Sequence, residues 1–217
     1  MYTMPTTSEA SNAAPYFPLA GASQDGWSNE ERATATCFCG TVQLSFVSAE
    51  THPSHEPIYT SNISSSPITK NLISLSIQPT TPPGLINTFT CHCTDCRKIT
   101  ASMFATNFII SDKYLVHERG QSRLTSYSQS KTIATGKTMT NYFCSTCGSL
   151  MYRRGARFPG LSILRTGTVD DFSLHEGRLK PRVEQFVKDR VCWVDAVDGV
   201  TQIEAGIGTA AKGAASL

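Results

Sequence analysis

Three cysteines within six residues, Cys91, Cys93 and Cys96, constrain this chain more than any other feature. Their C-x-C-x₂-C spacing allows three thiolates to reach one metal ion, because two sulfurs bound to the same tetrahedral zinc lie roughly 3.8 Å apart. Three thiolates leave the fourth position of such an ion open, which is the pattern of a catalytic zinc. We therefore predict a metal site at this triplet, with these three residues as its catalytic ligands.

Four further cysteines form two short pairs, Cys37 with Cys39 and Cys144 with Cys147. Together they are expected to make a closed Cys₄ site, which has no open position and is structural. Gly148 follows the second pair and permits the tight backbone reversal of a zinc knuckle. Such a site would hold two distant parts of the chain together, because metal-binding energy becomes folding energy. The chain is thus predicted to bind two Zn²⁺, one structural and one catalytic.

A fourth protein ligand could instead close the triplet. His92 is adjacent, but strand alternation points it away from Cys91 and Cys93. Cys192 lies in the apolar segment 191–194, where we predict a strand and a buried free cysteine. A closed triplet would favour the alternative function, a non-enzymatic zinc module for protein or nucleic-acid binding. An open position would accept water or a substrate thiolate, because thiolate-rich zinc suits a soft sulfur ligand.

The arrangement of the cysteines also indicates the compartment. Seven of the eight lie in tight clusters, which suit metal ligation better than structural disulfides. We expect a reducing compartment and predict a cytoplasmic location, with the nucleus as the alternative. The N-terminus lacks a basic start followed by an apolar run, so no secretory signal is expected. No apolar stretch of about 18 residues suggests a membrane span.

The charge gives little support to a nucleic-acid partner. The formal net charge is +2 with neutral thiols. Seven thiolates binding two Zn²⁺ would lower it to about −1, so a basic binding surface is not indicated. We expect a small-molecule thiol or thiol adduct as the partner and leave a homo-oligomer open.

Short alternating apolar segments predict a mostly β fold without long helices. Val42, Leu44 and Phe46 alternate with polar residues, as in a half-buried strand. A short helical turn is expected at Arg97-Lys98. Further strands are predicted at 72–77, 85–90, 103–110, 114–117, 124–127, 137–143, 150–153, 161–165, 181–187 and 192–194.

Composition divides the chain into one domain with two tails. Residues 1–31 contain prolines, serines and threonines without apolar periodicity and are predicted to be disordered. Residues 32–200 are predicted to form a single zinc-binding domain. Within it, residues 48–84 are rich in Ser, Thr and Pro and indicate a long insertion. Residues 201–217 include an Ala/Gly-rich run and are expected to form a flexible tail.

The three cysteine motifs resemble those of the glutathione-dependent formaldehyde-activating enzymes, which are grouped with centromere protein V. A later segment, 167–171, resembles the family's G-T-L-D-D turn, and Pro181 and Trp193 resemble its C-terminal P…W pattern. Two features depart from the family's pattern. Ala101 stands where a glycine usually follows the C-R-K segment, and the stretch between Cys39 and Cys91 is about 30 residues longer than usual. The resemblance covers about residues 35–195, and its cysteine motifs lie at 37–42, 91–98 and 143–149.

The resemblance implies a Mss4-like β fold, built from several small antiparallel sheets with short helical turns and zinc knuckles. It also implies one structural and one catalytic zinc, with the ligands already named. The family is described as carbon–sulfur lyases that join glutathione and formaldehyde or act on related thiol adducts. A specialised lyase or dehydratase acting on a larger metabolite is the alternative within this class.

An anionic thiol such as glutathione needs cationic partners. Arg97 and Lys98 follow the triplet, and Arg153 and Arg154 follow the second knuckle. We predict these four as substrate-binding residues. The sequence identifies no general base, because Asp95 is in a position to cap the turn that carries the triplet.

Overall fold

The structure is a computed structural model that describes residues 14–18, 22–48 and 84–206. This part of the chain is mostly β, as the sequence predicted, with short helices between the strands. The α-helices are α1 (Thr94–Thr100) and α2 (Ser173–Glu176). The strands are β1 (Arg32–Thr36), β2 (Gln43–Val47), β3 (Leu85–Cys91), β4 (Ala105–Ser111), β5 (Leu115–Arg119), β6 (Leu124–Gln129), β7 (Met139–Cys144), β8 (Leu150–Gly155), β9 (Leu161–Arg165), β10 (Val183–Gln185) and β11 (Thr201–Ile203).

Strands β1, β2 and β5 form a three-stranded antiparallel sheet in that order. The segment between β1 and β2 is a tight turn, in which the Gly40 N–H donates to the Cys37 carbonyl at 2.9 Å. Gly40 has a φ of 78°, a conformation that favours glycine. Cys37 and Cys39 therefore belong to this turn and not to an extended strand.

The remaining strands form an eight-stranded sheet with the order β11-β10-β3-β4-β9-β8-β7-β6. In this order, each pair of neighbouring strands from β3 through β4, β9, β8 and β7 to β6 is antiparallel, whereas β10 pairs in parallel with both β3 and β11. Cys91 ends β3 near the middle of this sheet, opposite Ala105 of β4. The cysteine triplet thus begins at an interior strand.

The two sheets enclose the larger of two hydrophobic clusters. Phe46 of β2 contacts Phe108 of β4 across it, with ring centroids 4.8 Å apart. Burying an aromatic side chain of this kind contributes about 1.5–3 kcal/mol. Because side chains alternate along a strand, residues 105 and 107 of β4 face the other way. That second face carries the smaller cluster, made by Phe89, Cys91, Cys96 and Ala105.

Both predicted tails contribute described residues to the fold. The Tyr16 N–H donates to the Asp171 carboxylate at 3.1 Å, and Arg119 pairs with Asp25. Strand β11 includes Gln202, whose amide donates to buried Glu184 at 2.6 Å. Residues 201–203 are therefore strand and not tail, because this hydrogen bond and the pairing with β10 hold them.

The predicted strand at 192–194 is absent from the described chain. Cys192 and Trp193 lie in a turn, and both are exposed, Trp193 by 69%. The prediction of a buried Cys192 was wrong, because an apolar segment without a neighbouring strand has nothing to pack against. The predicted strand at 72–77 and most of the insertion lie outside the described residues. No helix among the described residues is long and apolar enough to cross a membrane.

Candidate metal centre

The Cys₄ cluster joins the two sheets. Cys37 and Cys39 come from the β1–β2 turn, whereas Cys144 ends β7 and Cys147 lies in the turn before β8. The four sulfurs all lie within 4.8 Å of one another. Gly148 permits the second turn with a φ of 74°. Four convergent sulfurs match the preference of Zn²⁺, so the donor set fits that ion.

The thiols of the Cys₄ cluster differ in how readily they ionise. Burial raises the pKa of Cys37 to about 12. Burial also opposes ionisation of Cys147, but hydrogen bonds from the hydroxyl and N–H of Ser149 lower the pKa of Cys147 to about 6. The Val42 N–H lies 3.2 Å from the Cys37 sulfur. Such bonds from the surroundings orient thiolate ligands and support their charge.

The triplet is assembled where strand β3 passes into helix α1. Cys91 is the last residue of the strand, Cys93 is the helix N-cap, and Cys96 lies buried within the helix. The Cys91 and Cys93 sulfurs are 3.4 Å apart, and the Cys93 sulfur accepts from the Cys96 N–H at 3.4 Å. All three sulfurs lie within 4.8 Å of one another. The start of a helix favours thiolates, because its free N–H groups carry partial positive charge.

The three thiols influence one another strongly. Hydrogen bonds to Cys93 and Cys96 raise the pKa of Cys91, and burial raises it further. The pKa of Cys96 lies well below its usual range because of hydrogen bonds with Cys91 and Cys93, and two nearby arginines lower it further. Three adjacent thiolates repel one another, so all three ionise together only beside a cation. A divalent metal ion fits this requirement.

Within the described part of the chain, no fourth Cys, His, Asp or Glu joins the triplet. His92 is held elsewhere, because its Nε2 lies 2.8 Å from a carboxylate oxygen of Glu184 in a buried pair. Cys192 is exposed and belongs to neither cluster. The described side chains therefore leave the triplet one ligand short of a tetrahedral set.

Two arginines lie beside the triplet, and the sequence predicted one of them. Arg153 of β8 and Arg165 of β9 both lie close enough to Cys96 to shift its pKa. Burial disfavours the charge of Arg153, but the charges of Cys96, Cys91 and Cys93 and a hydrogen bond to Cys96 outweigh this effect and raise the pKa of Arg153. Arg165 is 5% exposed, and burial together with Arg153 lowers its pKa to about 10. Arg165 was not among the predicted site residues, because the sequence gives no sign that this last residue of β9 is buried.

Strand pairing explains why these two arginines meet. Arg165 is opposite Asn107 of β4, and Arg153 is opposite Ile163 of β9 and Asn141 of β7. Because residues two apart on a strand share a face, these side chains form one row on the face that carries Cys91. We call the four polar members, Asn107, Arg165, Arg153 and Asn141, the polar row.

The other predicted substrate-binding residues are not brought to the triplet in the same way. Arg97 directs its guanidinium towards the Asp189 carbonyl at 3.4 Å, and Lys98 is exposed. Arg154 lies on the opposite face, where its Nε donates to Ser162 at 3.0 Å. Asp95 accepts from Thr132 at 2.6 Å and so links α1 to the loop after β6.

A pocket of about 420 Å³ lies between α1, the start of β4 and the second knuckle turn. It is lined by residues of both cysteine regions and by the segment that follows β9. Among its wall residues are Ile99, Phe104, Cys147, Ser149, Arg165 and Thr168.

The two aspartates of the 167–171 segment have structural partners. One carboxylate oxygen of Asp170 accepts from the hydroxyls of Thr34 and Thr36, both at 2.6 Å. Asp171 accepts from Tyr16 and from the N–H and hydroxyl of Ser173. This segment therefore holds β1 and the N-terminal residues against the larger sheet.

Comparison with known proteins assigns this β fold with two cysteine clusters to a family. The sequence pattern of the glutathione-dependent formaldehyde-activating enzymes matches residues 72–189, more than half of the chain. The chain belongs to this family. The match includes the triplet, the second knuckle and both site arginines.

Two further comparisons complete this result. No curated protein matches the chain significantly. A crystal structure of a Rhodobacter sphaeroides protein, a Northeast Structural Genomics target, is similar with a TM-score of 0.36 and 18% sequence identity. That similarity covers 62% of this chain and 85% of the other chain.

Proposed function

We propose that this protein is a zinc-dependent carbon–sulfur lyase that acts on a thiol adduct, with glutathione as one candidate thiol. The observation that carries the proposal is the triplet itself. Cys91, Cys93 and Cys96 converge, and the described chain supplies no fourth ligand. Membership of an enzyme family named for glutathione and formaldehyde supports the same chemistry.

The catalytic zinc would be held by Cys91, Cys93 and Cys96, and the structural zinc by the Cys₄ cluster. When bound, the catalytic ion would stabilise a substrate sulfur as thiolate, so that a carbon–sulfur bond can form or break. Arg153 and Arg165 add positive charge beside that sulfur and favour its anionic form. The buried face around Cys96 and Phe89 limits access of water, which strengthens these electrostatic interactions.

We further propose a reducing location, the cytoplasm. All eight cysteines are free, and seven of them lie in the two metal-competent clusters. Oxidation would convert thiolate ligands into disulfides or sulfenic acids and remove them from a metal.

The experiment is zinc analysis of the full chain and of three variants. We expect two zinc ions per wild-type chain and one in Cys96→Ser, with the fold retained and turnover of thiol adducts lost. Cys144→Ser should lose the fold, because structural zinc contributes about 10–16 kcal/mol, as much as a whole domain's stability. Cys192→Ser is the matched control and should keep two ions.

Substitution of cobalt for zinc provides the test of the open position. A thiol that enters the coordination sphere should change the cobalt absorption bands of the wild type but not of Cys96→Ser. If Cys96→Ser unfolds and no thiol perturbs the wild-type spectrum, the triplet is structural. The non-enzymatic zinc module would then be the correct interpretation.

A further inference from the structure

The polar row contains buried hydrogen-bonding atoms that make no hydrogen bond of good geometry, although the guanidinium groups of Arg153 and Arg165 both lie close to the Cys96 sulfur. They are Nε and Nη2 of Arg165, Nε of Arg153 and Oδ1 of Asn141. Buried polar groups are nearly always hydrogen-bonded, so several unpartnered atoms in one row indicate that a partner is still to be supplied. The row lies on the same sheet face as Cys91, directly beside Cys96.

The unpartnered edge of Arg165 has a defined shape. Its Nη1 donates to the Asn107 side chain, which fixes the orientation of the guanidinium plane. Nε and Nη2 lie on the same edge of that plane and present two parallel N–H groups. This edge matches the two oxygens of a carboxylate, which it binds through two hydrogen bonds.

The charge of the site favours an anionic occupant. One divalent ion with the thiolates of Cys91, Cys93 and Cys96 has a net charge of −1. Arg153 and Arg165 contribute +2, so the occupied site would hold an excess positive charge. Buried charges are stable only when they are paired. The thiolate of a bound substrate balances this excess charge, and a carboxylate on the same substrate would satisfy the buried N–H groups through hydrogen bonds.

Arg165 also lies in the wall of the pocket of about 420 Å³. The same pocket is bordered by the hydroxyl-bearing residues Ser149 and Thr168 and by the end of helix α1. A ligand that enters this pocket thus reaches the wall that contains Arg165, next to Ile99 and Thr100 of the helix that carries Cys96.

We propose that Arg165, oriented by Asn107 and adjoined by Arg153, is a carboxylate-recognition site, and that the substrate is a thiol adduct with a carboxylate close to its sulfur. This inference rests on the proposed function, because the sulfur is taken to bind at the triplet. Arg165 acts here as a specificity-determining residue.

The test compares carboxylic thiols with their own amides on the cobalt-loaded full chain. The probes are mercaptoacetate against mercaptoacetamide, and 3-mercaptopropionate against its amide. Apparent dissociation constants come from the cobalt absorption bands and are corrected for the different pKa of each thiol. We expect at least one acid to bind about 10- to 100-fold more tightly than its amide, as expected for hydrogen bonds between charged groups.

Arg165→Gln should reduce that preference to less than about threefold, because a neutral amide lacks the charge and the paired N–H edge. Arg123→Gln, which removes the same charge at an exposed position, should keep the wild-type preference. If Arg165→Gln fails to bind cobalt, Arg165→Lys takes its place. This variant retains the charge and should still lose about tenfold of the preference.

The outcomes separate the two proposals. If the wild type binds acids and amides equally well, the carboxylate site is refuted, although thiol binding at the triplet stands. The same conclusion follows if both Arg165 variants keep the full preference. If no thiol changes the cobalt spectrum, the proposed function fails and this inference fails with it.

Discussion

Arg153 and Arg154 are consecutive residues of strand β8, and they face opposite sides of the eight-stranded sheet. Arg153 lies beside Cys96 in the polar row. Arg154 points to the other face, where it contacts Ser162 and Asp112 and lies 5.3 Å from the centre of the Tyr152 ring. Because side chains alternate along a strand, only one of two adjacent arginines can serve a site on one face.

The first prediction follows from this alternation. Arg153→Gln should weaken thiol binding by about 10- to 100-fold, because it removes a charge beside the anionic sulfur. Arg154→Gln should leave thiol binding unchanged and lower the free energy of unfolding by about 1 kcal/mol through its lost hydrogen bond. Cobalt titration and urea unfolding of both variants measure the two effects. Equal weakening of thiol binding by the two substitutions would show that simple charge, and not strand face, determines binding.

The cysteine clusters could be predicted because metal ligation imposes short spacings that are visible in the sequence. The four-plus-three division also needed only the count of nearby thiols. Arg165 could not be found in this way, because its burial depends on β4 and β8 as neighbours. Whether an arginine is buried depends on the strands packed beside it, and the residues of Leu161–Arg165 alone do not indicate it.

The errors have the same origin. Arg153 and Arg154 were predicted together because the predicted strand ended at residue 153, whereas the observed strand β8 continues to Gly155 and places them on opposite faces. Cys192 was predicted to be buried because the segment 191–194 is apolar. The residues on either side of this segment are instead held by polar interactions. Arg190 and the Val197 N–H both donate to Glu184, each at 3.1 Å. A buried carboxylate, and not a hydrophobic strand, therefore fixes this part of the chain.

The second prediction concerns Glu184, whose side chain is 1% exposed. It accepts hydrogen bonds from Arg190, Gln202 and the Val197 N–H, and it lies 2.8 Å from His92. Glu184→Ala should lower the free energy of unfolding by about 3–5 kcal/mol, because it leaves buried partners unpaired. Urea unfolding of the zinc-loaded chain measures this loss.

The matched control for Glu184→Ala is Glu176→Ala, since Glu176 is exposed at the end of α2. This substitution should change the free energy of unfolding by less than about 0.5 kcal/mol. A comparable loss in both variants would contradict the role of Glu184 as the buried acceptor that holds β11 and the preceding loop.

The third prediction is a pH dependence at Asp171. Burial raises the pKa of this carboxyl, but hydrogen bonds from Ser173, Ser28 and Tyr16 outweigh it and hold the pKa below its ordinary value of 3.8. A lowered pKa stabilises the fold fully above the ordinary value, and this contribution is lost as the pH falls through the folded value. Asp171→Asn should therefore cost about 1–2 kcal/mol at pH 7, and the cost should shrink below about pH 4.

Urea unfolding of the wild type and Asp171→Asn at pH 7, 4.5 and 3.5 tests this dependence. Excess Zn²⁺ is present throughout, and a pH value is used only where both proteins still unfold cooperatively, because loss of the Cys₄ zinc would itself unfold the chain. A difference that stays constant over the whole range would mean that the charge of Asp171 makes no contribution to stability.

The fourth prediction concerns the end of helix α1, which carries Cys96. Its C-cap is Ala101, with φ 51° and ψ 36°, a left-handed conformation that disfavours residues with a Cβ. Ala101→Gly should therefore raise the free energy of unfolding by about 1 kcal/mol.

A second alanine distinguishes this effect from the general flexibility of glycine. Ala156 is also exposed, but its φ is not positive. Ala156→Gly should lower the free energy of unfolding by about 0.5–1 kcal/mol. At this position glycine relieves no strain in the folded state and only increases the conformational entropy of the unfolded chain. Opposite signs in urea unfolding are thus expected for the same substitution at two positions. If both variants are destabilised, α1 does not end in a left-handed turn at Ala101, and the position of Cys96 within the helix has to be reconsidered.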